Sequence, residues 1–203
     1  SMILKISFSK TFENDNDVDI RIINIAAMEV VKKYTRLMLS RRGYENVTYT
    51  DTDEEGNLGK KPRFHATKPD GEPVVVFFVS KKATNEKVTV QIIKSIISMA
   101  GSIKHRILVY DTVLTSDARN STMYNFETFT FDELSYDLNA VLFLDENCPD
   151  NVKVVTTVQE RNKLPILNVA DPIARYFGIQ KGEIVKGRFD GTSFISFRRC
   201  AAM

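Results

Sequence analysis

The sequence predicts an α/β (α+β) protein of two domains, residues 1–140 and 141–203. Three observations carry that expectation. Between Pro73 and Tyr110 a continuous apolar run, a stretch with helical spacing and a second short apolar run follow one another, the order of a parallel strand pair with its crossover helix. From Asp145 to Lys153 the chain turns polar around Pro149, the composition of a domain junction. The remaining tail holds a capped helix and two strand-like segments, enough for a compact α/β unit of its own.

The elements follow in chain order. Leu4, Ile6 and Phe8 alternate with Lys5, Ser7 and Ser9, the period of an edge strand. Ile23, Ala27, Val30, Val31, Tyr34, Leu37 and Met38 recur three and four apart, one face of a long helix ending near Gly43. Its other face and its end carry Lys32, Lys33, Arg36, Arg41 and Arg42, and basic residues in a last turn complement the helix dipole, so a solvated face is expected. Residues 50–72 are polar and rich in Gly and Pro and predict a loop region. Val74 to Val79 is an apolar, β-branched and aromatic run of strand length, as a central strand requires. Asn85 is a suitable N-cap for a helix through Val88, Ile92, Ser95, Ile96 and Met99, stopped by Gly101.

Ile107 to Tyr110 predicts a second buried strand, Leu114 to Asn120 a loop, Glu127 to Phe131 a strand and Asp132 to Leu138 a short helix. Ala140 to Leu144 has the composition of a strand that opens the next unit. In the tail, Asp171 followed by Pro172 puts a capping carboxylate at N-cap and proline at N1, where its missing N–H costs nothing. A helix to Gly178 follows. Glu183 to Arg188 and Ser193 to Arg199 then read as strands joined through Asp190-Gly191, a pair that tolerates the positive φ of a hairpin turn.

Composition narrows the function classes. Of 203 residues, 43% are hydrophobic and 27% charged, an ordinary globular balance. No apolar run approaches the roughly 20 residues that span a bilayer, and the first residues lack the apolar core of a signal peptide, so a soluble intracellular protein without membrane contact is expected. Two cysteines, Cys148 and Cys200, make no disulfide framework, and with His65 and His105 they form no metal-ligand spacing. Residues 1–160 carry 20 basic and 23 acidic groups, and 161–203 carry 8 and 3, so the tail is the basic part. That excess alone is too small to argue for nucleic-acid binding.

No phosphate-binding loop, dinucleotide fingerprint, Ser-His-Asp or Cys-His arrangement is present. Asp70, ahead of the Val74 strand and Lys81, has the placing of one carboxylate in a metal-dependent nuclease core, where a second carboxylate on the strand and a lysine complete the site. Val79 stands where the second carboxylate belongs, and one carboxylate does not hold the ion. Pro69, Asp70 and Gly71 therefore read as a turn feeding a buried strand. His65 and His105 are isolated, and Phe177, Phe189, Phe194 and Phe197 sit at core spacings rather than on a base-stacking face.

Residues 164–199 carry, in order, Leu164-Pro165, Asp171-Pro172, Ala174, Tyr176, Gly178, Gly182, Val185-Lys186 and a closing aromatic-basic strand. With these the tail resembles the assembly domain of the shared fifth subunit of eukaryotic RNA polymerases, a family with a smaller archaeal relative. Fainter similarity continues upstream through Arg42-Gly43-Tyr44, the Val74 strand, the helix near Val88, Ile107 to Tyr110 and Glu127-Thr128-Phe129. The resemblance implies an N-terminal jaw domain of nuclease-like three-layer fold without catalytic activity, and a small mixed-sheet C-terminal assembly domain.

It further implies a non-catalytic subunit of a DNA-directed RNA polymerase, docked on the largest subunit by the assembly domain and placing the jaw beside downstream DNA. No catalytic residue, metal, cofactor or small-molecule substrate is expected. The family's T-P-S-A loop corresponds to Leu114 to Arg119, which keeps Thr115 and Ala118 but has Ser116 and Asp117 for Pro and Ser. Thr115, Ser116 and Arg119 become the candidates for weak contact with the DNA backbone. In the tail, Asp171, Pro172 and Tyr176 set the helix, Gly178 and Gly182 the turns, and Arg175 is the exposed candidate for partner contact. The family's H-x-L-V-P-x-H segment is replaced by LFLDENCPDNVKVV, and the strand from Met2 to Phe8 is additional. The archaeal relative consists of the assembly domain alone, so this chain, with its jaw, is of the eukaryotic type or is encoded by a large DNA virus. The viral origin is favoured, with infected-cell cytoplasm and virion as its location; a cellular member would be nuclear. The competing classes are a metal-dependent nuclease acting on DNA and a free-standing DNA-binding module.

Overall fold

The computed structural model describes residues 15–50, 62–80, 87–138, 152–155, 161–188 and 195–202. The strand expected at Met2 to Phe8, Asn85 as a cap, the segment Ala140 to Leu144 and the Asp190-Gly191 turn lie outside the described residues, as do Lys81, Cys148, Phe189 and Phe194.

Helix α1 (Asp15–Arg41) is about 40 Å long. Its C-terminal half packs through Val31, Thr35, Met38 and Leu39, all buried. The expected face is shifted: Val30 is 39% exposed and Ala27 is exposed, while Leu39, outside that face, lies in the core. The Thr35 hydroxyl satisfies itself on the Val31 carbonyl at 2.8 Å, so its burial leaves no unpaired donor. Gly43, at φ +81°, reverses the chain, and the Tyr44 N–H closes the helix end on the Leu39 carbonyl.

Five strands form the first sheet: β1 (Glu45–Thr50), β2 (Arg63–Thr67), β3 (Pro73–Val79), β5 (His105–Tyr110) and β7 (Glu127–Thr130), in the order β1-β2-β3-β5-β7. The β3–β5 and β5–β7 pairs are parallel, and β1–β2–β3 is antiparallel. The strand-helix-strand expectation holds, because α2 (Val90–Ala100) carries the chain from β3 to β5. β2 corrects the reading of residues 50–72 as loop, and β1, for which the sequence predicts no element, ends at the first residue of that stretch. β2 alternates half-buried and buried side chains, with Phe64 and Ala66 inward, and five residues with two apolar ones make too short a pattern to outweigh the flanking Gly and Pro.

Val74, Val76 and Phe78 of β3 face α1, together with Ile107, Val109 and Phe129. Val75, Phe77 and Val79 face the opposite way, toward Ile93 and Ile96 of α2 and Ala118 of α3 (Ser116–Asn125). Helices cover both faces of β3, and for that reason its sequence is continuously apolar rather than alternating. Two-residue strands β4 (Lys87–Val88) and β6 (Val113–Leu114) pair in parallel beside this layer. α2 starts after Thr89, so Val88 is a strand residue, not a helical one. Leu114 to Asn120, expected as loop, is the end of β6 and the first turns of α3, with only Ala118 and Thr122 of that helix buried. Asp132–Leu134 is a single 3-10 turn in place of the expected helix.

The tail forms a four-stranded mixed sheet of β8 (Val152–Val155), β9 (Ile166–Asn168), β10 (Ile184–Arg188) and β11 (Ile195–Ala201), ordered β8-β10-β11-β9. β10 is antiparallel to both neighbours and β9 is parallel to β11. Lys153, expected in the polar junction, lies within β8. Helix α4 (Pro172–Phe177) packs with Leu167, Ile179, Val185 and Cys200. Tyr176 of α4 instead enters the core beneath α1, and Phe177 touches both cores. Among the described residues no helix is long and apolar enough to cross a membrane.

Candidate functional site at the junction of the two sheets

The α4 residues behave as the sequence predicts at the backbone. Asp171 Oδ1 accepts from the Ile173 N–H at 2.8 Å, Pro172 opens the helix, and Gly178 ends it at φ +67°. Gly182, at φ +92°, donates its N–H to the Cys200 carbonyl at 2.8 Å and so ties the turn before β10 to β11.

Arg175 does not stand free on the surface. Its guanidinium reaches back to β7, pairing with Glu133, donating to the Thr128 carbonyl and lying 5.0 Å from the centre of the Phe129 ring. The expectation of an exposed arginine fails because Ala174 and Tyr176 turn inward and carry the residue between them over the edge of the first sheet. Burial pushes the Glu133 carboxyl up, yet the Arg175 hydrogen bond and the Thr130 N–H bring it below its ordinary value.

Arg41 and Arg42, expected on a solvated helix end, form the other half of this junction. Arg41 makes two hydrogen bonds to the Asp137 carboxylate, one of them 2.9 Å, and donates at 2.8 Å to the Tyr176 hydroxyl. Arg42, whose side chain is 3% exposed, donates to three acceptors: Glu127 Oε2 at 2.8 Å, the Tyr176 carbonyl at 2.8 Å and the Arg175 carbonyl. These carbonyls belong to the last turn of α4, where the helix ladder runs out; the Arg175 carbonyl also accepts from the Gly178 N–H at 3.1 Å.

Glu127 continues the network. Its Oε1 lies 2.6 Å from His105 Nε2, and His105 Nδ1 meets the Tyr44 hydroxyl. Burial pushes the Glu127 carboxyl up, but the His105 hydrogen bond and the Arg42 charge outweigh it and hold its pKa at about 2. Burial, helped by the charge of Glu72, drives the Tyr44 phenol above its ordinary range. Beside this network lies a half-open cavity of about 290 Å³, with Phe129, Val169, Ala174 and Ile179 among its apolar lining and Gln180 and Lys181 at its polar side.

Thr115, Ser116 and Arg119 come together at the start of α3, on the far side of β5 from α1 in the layer order. Thr115 is the N-cap: its Oγ1 accepts from the Ala118 N–H at 3.3 Å, and its hydroxyl proton remains available to an outside acceptor. Ser116, Asp117 and Arg119 are at the surface, and farther along the helix Met123 (72%) and Tyr124 (88%) stand in solvent. Ala118 is the buried residue that seats this turn on the sheet.

Asp70 makes the turn read from the sequence, its Oδ1 accepting from the Glu72 N–H at 3.0 Å, and Val79 lies fully in the core. Among the described residues no group of three or more His, Cys, Asp or Glu stands close enough to hold a metal ion. His105, Glu127 and Arg42 are the junction residues that single-residue reading passed over. The signal available was that Arg42-Gly43-Tyr44 and Glu127-Thr128-Phe129 both belong to the resemblance, though nothing local says that they meet.

No family model matches the chain. It is 30% identical over 195 residues to the DNA-directed RNA polymerase subunit 5-like protein 1 of Arabidopsis thaliana, a similarity covering 80% of this chain and 89% of that protein. On identity of that level over most of both proteins, the chain belongs to the RNA polymerase subunit 5 family.

Proposed function

We propose that the chain is a non-catalytic subunit of a multisubunit DNA-directed RNA polymerase that docks on the largest subunit through its tail, residues 141–203, and holds the five-stranded part, the jaw, beside downstream DNA. The observation that carries this is the similarity to the subunit 5-like protein over 80% of this chain, a span too long for either part alone. The end of the tail, residues 161–203, is its basic part, with 8 basic and 3 acidic groups, and suits a partner surface of opposite charge.

At the jaw, the start of α3 faces DNA. Ser116 and Arg119 are at the surface there, and the Thr115 hydroxyl can donate outward, so all three can reach backbone oxygens without reading bases. Asp117 in the same turn favours the helix dipole and repels phosphate, which makes this a weak contact. The replaced loop residues and the jaw together fit a polymerase encoded by a large DNA virus, acting in infected-cell cytoplasm and carried in the virion. Nothing in the described residues favours the nuclease reading.

Affinity purification of the tagged chain from cells that make its natural partners, with mass spectrometry, tests the proposal. Recovery of the two largest polymerase subunits in near-equal amounts is expected. Recovery of the chain alone, in salt low enough to keep polymerase intact, would overturn it.

A further inference from the structure

We infer that Arg42 is the pin that joins the five-stranded unit and the tail into one rigid lever, so that whatever holds the tail also fixes the direction of α3. Three features of the geometry lead there. First, one buried guanidinium is shared between units: Nη1 goes to Glu127 on β7, while Nε and Nη2 go to the Tyr176 and Arg175 carbonyls at the end of α4. A planar fork can hold three diverging acceptors at once, which a single ammonium cannot. Moving the tail away would take Arg42 from the Tyr176 carbonyl and leave the Arg175 carbonyl with the Gly178 N–H alone, while two donors of the buried guanidinium, Nε and Nη2, lose their acceptors.

Second, the tail is shaped to admit this side chain. A Cβ on Gly178 would sit 3.2 Å from both Cζ and Nη1 of Arg42, so the glycine that ends α4 at φ +67° also leaves the room that the guanidinium fills. Third, flanking contacts run in both directions across the same seam. Arg41 reaches from α1 to the Tyr176 hydroxyl, and Arg175 reaches from α4 to Thr128 and Glu133. The Tyr176 ring meanwhile completes the core under α1. The two segments of the resemblance, Arg42-Gly43-Tyr44 and Asp171 to Gly178, are thus each other's partners, and Arg42 is the buried one of the three arginines on this seam.

The clause about α3 rests on the polymerase reading; the rigidity itself does not. The test is made on the free full-length chain, with spin labels at Asn120→Cys on α3 and Lys181→Cys on the tail. Cys148 is changed to serine, and Cys200, fully buried, does not take the label. Pulsed electron–electron distance measurement should give one narrow distance in the otherwise unaltered chain. Arg42→Ala should lose it, giving a broad or split distribution while circular dichroism stays that of a folded α/β protein. If Arg42→Ala does not fold, Arg42→Lys carries the test, since it keeps the charge beside Glu127 and cannot span the carbonyls. A broad distribution before any change at Arg42, or a narrow one in the folded variant, would overturn the inference. Failure of the unaltered chain to recover polymerase subunits in the purification above would sink the subunit reading and leave the pin standing, so the two failures are distinguishable.

Discussion

Glu127→Gln removes a charge from the centre of the junction and keeps the shape of the side chain. Folding lowers the pKa of this carboxyl from an ordinary 4.5 to about 2, against the push of burial, through His105 and Arg42. A pKa depressed on folding contributes stability that is complete above the unfolded value and is lost as pH falls through the folded one. At about 1.4 kcal/mol for each unit, the difference bounds the contribution near 3 kcal/mol. The side chain keeps 30% of its exposure, and solvent screening brings the expected loss to about 2 kcal/mol at pH 7. In a chain of this size that lowers the melting midpoint by roughly 4–8 °C.

The assay is urea unfolding of both proteins at pH 7, 5 and 3. Their difference should be full at pH 7, little changed at pH 5 and less than about half by pH 3, because the carboxyl of the unfolded chain, at its ordinary 4.5, takes up a proton in that range while the folded one, held at about 2, stays ionised. Other carboxylates that the junction holds low, such as Glu133, contribute equally in both proteins and cancel in the comparison. Equal stability at pH 7, or a difference that does not shrink between pH 5 and pH 3, would refute the assignment of Glu127 as a charged partner of Arg42.

Two further outcomes follow from the same geometry. Arg175→Ala should cost about 1–2 kcal/mol by removing the guanidinium that Glu133 and the Thr128 carbonyl share, lowering the melting midpoint while leaving recovery of polymerase subunits unchanged; lost recovery at an unchanged midpoint would return this arginine to the partner surface. Asp117→Ser should strengthen DNA photocrosslinking by α3 within polymerase, and Arg119→Ala should weaken it and reduce the salt dependence by about one charge; unchanged crosslinking in both would remove the start of α3 from the DNA path.

Elements whose stabilising interactions are local were legible. The apolar run of β3, the spacing and glycine stop of α2, and the Asp171-Pro172 cap with Gly178 at the far end of α4 each bring the reason for their conformation within a few residues. Where the reason was distant, the reading failed. β2 is a strand because Phe64 and Ala66 meet α1 and β3, and α3 is a helix because Ala118 finds the back of the sheet; both segments are polar enough by themselves to pass for loop.

Family membership was legible for the same cause, since the tail motif is contiguous. The junction was not. Arg41 and Arg42 at a helix end satisfy the local rule for dipole-matched, solvated cations, and that rule is silent on acceptors 85 and 134 positions away. Short-range sterics and hydrogen bonding write the strand-helix-strand order and the cap and turns of α4 directly into neighbouring residues, and the contiguous motif does the same for the family. It took the folded chain to turn the arginines inward, to engage Arg175 with its own β7 and to make Gly178 a space as well as a turn. A buried charge takes its role from whichever acceptors the fold brings within about 3 Å, and chain separation carries no trace of that distance.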